Sequence, residues 1–175
     1  MKFDLEHTID ILSRTPTVLV ELLTDIPEIW ADSNEGDNTW SPYENVAHLI
    51  HGDHESWLPR LKHILEHEEE KPFTPSDPSA FGPSFCEGKT LGDLLIDFRT
   101  IRSRNLEELR NLGLTDEDFE RKVQHPEFGT VSVRQLLSTW TVHDLGHIAQ
   151  ITRVMAKQYK SEAGPFAAYL PILTK

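Results

Sequence analysis

One cysteine, Cys86, is all the thiol chemistry this 175-residue chain carries. A single thiol rules out an internal disulfide framework and any multi-cysteine zinc site, and it suits a reducing compartment. Long apolar runs are missing too: no window approaches the roughly 20 apolar residues that a membrane span requires. The opening stretch MKFDLEHTID has early acidic residues and no apolar signal-peptide core, so a cytoplasmic protein is expected. Basic residues are the third shortage. Seventeen Lys and Arg stand against 29 Asp and Glu, a formal charge of −12. Neutralising phosphates takes a basic face. Here the basic residues are scattered, and the main charge run, Glu66 to Glu70, is acidic and reads as a solvated helix end. Neither nucleic acid nor a membrane is expected as a partner. Internal repeats, low-complexity segments and Gly/Ser linkers are also lacking, so residues 1–175 are expected to form a single domain.

What is present is helical periodicity. Leu5, Ile9, Leu12, Leu19, Leu22 and Ile26 recur at three- and four-residue steps over about residues 4–25. Thr15-Pro16 interrupts that pattern as either a kink or a new helix start, and Pro27 ends it. Residues 31–39 read as a loop. Ser41-Pro42 with Glu44 resembles a capping box, predicting a second helix to about Glu70 with a bend at Pro59. Four prolines and two glycines make residues 71–89 an irregular connection. A third helix is predicted from near Thr90 to before Gly113, with Leu91, Leu94, Leu95, Phe98, Ile101 and Leu109 as its buried stripe. Turns follow at 115–119 and 125–129. A fourth helix is predicted over about residues 132–159. After Gly164-Pro165, an apolar tail (Phe166, Tyr169, Leu170, Ile172, Leu173) is expected to pack back. Only Thr130 to Val133 alternates with period two, so no sizeable sheet is expected. Four amphipathic helices most simply form an all-α four-helix bundle.

Nine histidines are the unusual enrichment. His48, His51, His54, His63 and His67 fall in one stretch, and His143 and His147 are one turn apart on the fourth helix. At about 100° per residue, that pair lies inside the arc of Leu136, Leu137, Trp140, Ile148 and Ile151. Each buried imidazole nitrogen left without a partner costs ~1–3 kcal/mol. A metal ion answers both rings at once, and the i, i+4 spacing recurs in helical metal sites. Two hydrogen-bonded core rings fit the same spacing, so a third ligand is needed to decide. The second helix is its natural source, and there periodicity is ambiguous. His54 lies within the apolar arc, His51 at its border and His48 further round, which favours His54 or His51 over His48. Asp144 is placed to accept the outer N–H of a ligating ring. Glu44, Glu55 and Gln150 are further candidate helpers, though an exposed carboxylate needs no functional explanation. Trp40, Trp57 and Trp140 fit either a pocket wall or the core. Nothing near Cys86 activates its thiol.

Two stretches carry a family likeness. Trp40-Ser41-Pro42-Tyr43-Glu44-Asn45-Val46-Ala47-His48-Leu49 resembles the first motif of the DinB-like family, a tryptophan followed by a capped helix with a histidine eight residues on. Thr139-Trp140-Thr141-Val142-His143-Asp144-Leu145-Gly146-His147-Ile148-Ala149-Gln150 resembles its second, a histidine pair at i, i+4 followed by glutamine. The resemblance implies a DinB/YfiT-like four-helix bundle with a divalent metal, zinc or nickel by expectation, on His48, His143 and His147. His51 and His54 then become bystanders. Three imidazoles leave a coordination position open, unlike a closed four-ligand structural site. Relatives of this family include thiol-dependent S-transferases and a mycothiol-dependent isomerase. The resemblance thus implies a metal-dependent hydrolase or a thiol transferase acting on a small molecule, with a low-molecular-weight thiol as a candidate co-substrate. The alternative is a non-catalytic metal- or ligand-binding bundle. Catalytic residues beyond the metal set are not assigned. Bundle relatives are often dimers, so a homodimer is compatible with the chain, although no residue pattern demands one.

Overall fold

Asp4 caps the first helix of the computed structural model, which describes residues 1–67, 70–74 and 86–174. Its carboxylate accepts the His7 backbone N–H at 2.9 Å and starts α1 (Leu5–Leu23). Of the two readings of Thr15-Pro16, neither a new helix nor a break is seen: α1 runs through Pro16 as one element. Proline has no N–H to offer the Leu12 carbonyl one turn back. Arg102 Nη1 donates to that oxygen instead, at 3.0 Å. Past Pro27 the chain makes a short extra helix, α2 (Glu28–Ala31).

Ser41 and Glu44 form the expected capping box at the head of α3 (Pro42–Glu55). The expected bend at Pro59 is in fact a break, with α4 (Trp57–His67) starting beyond Ser56. Pro59 cannot donate to the carbonyl of Glu55, and its ring crowds that carbonyl. The predicted continuation to Glu70 passes through Glu68 and Glu69, which lie outside the described residues, as do residues 75–85 of the proline-rich connection.

A capping box of Thr90 and Asp93 starts α5 (Leu91–Asn111). Gly113, at φ +59°, takes the left-handed conformation that glycine adopts without penalty just past the helix end. The turn expected at 115–119 is α6 (Asp116–Glu120). A small hairpin follows, β1 (Lys122–His125) antiparallel to β2 (Gly129–Ser132), with Val123 opposite Val131. Ser132 ends β2 and, with Gln135, caps α7 (Val133–Gln158). Two 3₁₀ turns, Gly164–Tyr169 and Pro171–Leu173, close the chain. The apolar tail does not pack back as a whole. Leu173 is buried, whereas Phe166, Tyr169, Leu170 and Ile172 are exposed. In a 3₁₀ turn, side chains three apart point the same way, so Phe166 and Tyr169 face outward together.

α1 packs against α5 and α7, and α3 packs against the same two. The long helices therefore form a four-helix bundle in which α1 stands diagonal to α3, and α5 diagonal to α7. The core divides into two apolar clusters. One centres on Leu12, Trp57, Leu61, Leu109 and Trp140, the other on Leu19, Leu49, Ile50, Leu94 and Phe98. Arg102 lies between them, with its guanidinium over the Phe98 ring at 4.8 Å and the Trp140 ring at 5.1 Å. It binds the carboxylates of Asp53 from α3 and Asp144 from α7. Asn105 adds a bond to the Asp53 carbonyl at 2.8 Å. Among the described residues, no helix is long and apolar enough to cross a membrane.

Candidate metal centre

His48 from α3 and His143 and His147 from α7 meet at one point. The Nε2 of His143 lies 3.0 Å from that of His48 and 3.1 Å from that of His147. One ligating atom from each residue lies within 4.8 Å of the others, and among the described residues this is the one such group of three or more. All three rings are half-buried. Trp40 covers the cluster, with its ring 4.6 Å from His48 and stacked at 5.8 Å on His147. Trp57 presents its ring edge-on to His143 at 5.0 Å.

Protonation favours lone pairs at this point. Burial, and then the neighbouring His147 and His143 rings, push His48 down to about 3. Burial and His143 push His147 down to about 4. The tautomer of His147 follows from Asn45. Asn45 Nδ2 donates to the carbonyls of Ser41 at 2.9 Å and Trp40 at 3.4 Å, which fixes which end of the amide is nitrogen. Its Oδ1 therefore faces His147 Nδ1 at 2.8 Å and must accept from it. The neutral His147 ring then turns an Nε2 lone pair toward the other two. A single N–H on His143 Nε2 can serve only one neighbour well. A cation placed among the three nitrogens would answer all of them at once.

The spacing fits the same conclusion. A tetrahedral zinc bonded at about 2.0–2.1 Å would hold its nitrogen ligands roughly 3.3 Å apart. The two separations that involve His143, 3.0 and 3.1 Å, are within a few tenths of an ångström of that, and the His48–His147 separation is no more than 4.8 Å. The donor set of imidazoles suits zinc, copper, iron or nickel alike.

Of the other expected residues, His51 is half-buried and His54 exposed, and neither joins the cluster. Glu44 is used as a cap, its Oε2 accepting from Ser41 N at 2.8 Å. Glu55 is exposed at the end of α3, and Gln150 is half-buried on α7. Asp144 does not take the role of ring acceptor expected for it. Its Oδ1 stands 3.9 Å from His143 Nδ1, beyond hydrogen-bond reach, and its carboxylate faces Arg102 instead. Burial would raise the Asp144 pKa, but the adjacent His143 and the Arg102 guanidinium outweigh it and hold the group below its ordinary value. Trp57 and Trp140 are core, stacked on each other at 5.8 Å. Burial raises the pKa of the Cys86 thiol, which keeps it protonated. Asn45, Arg102 and Asp53 were not singled out by periodicity, because each is a polar residue in a position that an apolar count ignores.

Among solved structures, the chain is similar to YfiT from Bacillus subtilis, described as a probable metal-dependent hydrolase with an unusual four-helix bundle topology. The TM-score is 0.73 at 22% identity, over 87% of this chain and 86% of that one, a likeness of fold. No curated protein matches. The DinB superfamily matches residues 11–151, most of the chain and a span that includes His48, His143 and His147, and to that superfamily this protein belongs.

Proposed function

We propose that His48, His143 and His147 hold one divalent metal ion, zinc or nickel, and that the centre serves a small-molecule enzyme, a hydrolase or a thiol-dependent transferase. The observation that carries this reading is the meeting of three Nε2 atoms from two helices, with the His147 lone pair directed inward by Asn45. Three protein ligands leave a position open, which is the arrangement of catalytic rather than structural zinc sites. A metal there would lower the pKa of a bound water or deprotonate a bound thiol. The chain's own residues supply the surroundings. Trp40 shields one side of the centre from water, and Trp57 fixes the His143 edge. Arg102 holds α7 in register with α3 through Asp144 and Asp53. The hydrolase named for the Bacillus subtilis neighbour supports the first reaction class, and the thiol-using relatives of the DinB-like family support the second.

The test begins with metal content. The purified chain should bind about one equivalent of zinc or nickel, as a single mononuclear site would, and His143→Ala should release it. Less than half an equivalent in the wild type, with no gain on reconstitution, removes the proposal. Hydrolytic and thiol-transfer screens, run with and without added low-molecular-weight thiols, then separate the two reaction classes. A metal-replete protein inactive in both would be the non-catalytic binding bundle.

A further inference from the structure

We infer that Asn45 is a positioning residue for the metal centre: it selects the His147 tautomer and so prepares Nε2 as a ligand before any ion arrives. The inference rests on reading the three histidines as the ligand set. Asn45 is fully buried on α3, one turn before His48. Two backbone carbonyls, which can only accept, claim its Nδ2. What remains is one carbonyl oxygen aimed across the helix interface at His147 Nδ1, 2.8 Å away.

A free histidine favours the Nε2–H form, which would place a proton where the ion must sit. Accepting from Nδ1 reverses that preference, and it also fixes the ring plane against rotation about its χ2 bond. Outer partners of ligating histidines commonly act this way, and losing one typically weakens metal binding by ~10–100-fold. The arrangement also divides labour between the helices. His48 is supplied by α3 directly, while α3 supplies His147 on α7 with its acceptor. Loading therefore depends on the α3–α7 interface being formed. His143, whose Nδ1 is 3.9 Å from Asp144, has no comparable tie to that neighbour.

The first experiment uses the metal-free wild type. Long-range nitrogen–proton NMR on histidine-labelled protein should find His147 protonated at Nδ1 and bare at Nε2. The Nε2–H form in folded wild type overturns the inference, with no variant needed. The second measures zinc affinity by competition with a chelator. Asn45→Leu should bind zinc ~10–100-fold more weakly, with its His147 shifted toward Nε2–H, while circular dichroism reports a wild-type fold. A folded Asn45→Leu with wild-type affinity also overturns it. His143→Ala separates the two ideas. If wild type and His143→Ala take up zinc equally poorly, the metal reading fails and the inference about Asn45 falls with it, whatever the His147 tautomer. If wild type binds one zinc and Asn45→Leu matches it, only the inference about Asn45 falls.

Discussion

Arg102 completes a helix it does not belong to, by donating to the Leu12 carbonyl that Pro16 leaves without a helical N–H. The same guanidinium bonds to both Asp53 and Asp144, so one side chain ties α1, α3 and α7 to α5 in the middle of the bundle. Removing it strands two buried carboxylates as well as a carbonyl. Breaking a buried pair in this way costs about 3–5 kcal/mol, and Arg102→Met should lose at least that much by urea unfolding. The Leu12 bond can be isolated by a double-mutant cycle. In a Pro16→Ala background the helix supplies its own N–H, so Arg102→Met should cost about 1 kcal/mol less there. Strict additivity of the two substitutions would mean that Arg102 contributes nothing through Leu12.

Two carboxylates share that one cation, which leaves a surplus negative charge in the core. Asp53 bears the consequence: burial, set against Arg102 and reinforced by Asp144, raises it from 3.8 to about 6. A raised carboxyl pKa means that the folded state holds its proton more tightly than the unfolded chain does. The stabilisation is fully present below the unfolded value and is lost as pH rises through the folded one. Relative to Asp53→Asn, which cannot titrate, the wild type should therefore lose about 1–3 kcal/mol as pH rises from about 4 to about 6, then stay level. Taking the difference between the two proteins, with a chelator present, removes the contributions of the histidines. Urea midpoints across that range check it, and a pH-independent difference would refute the shift.

How much of this was legible in the sequence depends on the kind of residue. Capped, apolar-striped helices were legible because caps and 3.6-residue periodicity are local; Ser41, Thr90 and Ser132 all begin helices near where the pattern placed them. His143 and His147 were legible for the same reason. His48 was not, on periodicity alone. An apolar arc that takes in Trp57, Leu61 and Ile64 treats the stretch from Ser41 as one continuous helix, but the chain restarts after Ser56 and those residues belong to a different axis. Within α3 the buried side also includes Asn45, Gly52 and Asp53, and His48 borders Asn45 and Gly52. Family likeness pointed to His48 where the wheel could not. Arg102 was illegible for a deeper reason: its partners Leu12, Asp53 and Asp144 are 90, 49 and 42 residues away.

Ser41 offers a prediction about local stability without loss of the centre. Its hydroxyl accepts the Glu44 N–H at 3.2 Å, while its backbone N–H donates to the Glu44 carboxylate at 2.8 Å. Ser41→Ala removes the first of these and should cost about 1 kcal/mol. The backbone carbonyl that anchors Asn45 survives the substitution, so zinc stoichiometry should not change. A thermal scan together with metal analysis reads both quantities. Loss of metal at unchanged stability would contradict this division.

Gly52 is the strictest test of how the aromatic wall is packed. A Cβ added there would stand 3.0 Å from Trp57 Nε1, closer than ordinary contact. Trp57 has little room to yield, because it is stacked on Trp140 at 5.8 Å and also meets His143 edge-on at 5.0 Å. Two effects then compete in Gly52→Ala. Alanine gains up to about 1 kcal/mol of helix propensity over glycine, while forcing bulk into a packed core costs about 1–3 kcal/mol. The second should win, leaving a net loss of about 1 kcal/mol in urea unfolding together with a changed near-ultraviolet dichroism from the displaced indole. The displacement passes to His143, so zinc affinity should fall in the same variant. If Gly52→Ala proved more stable than wild type, the indole would have to be free to move, and Trp57 could not be what fixes the edge of the His143 ring.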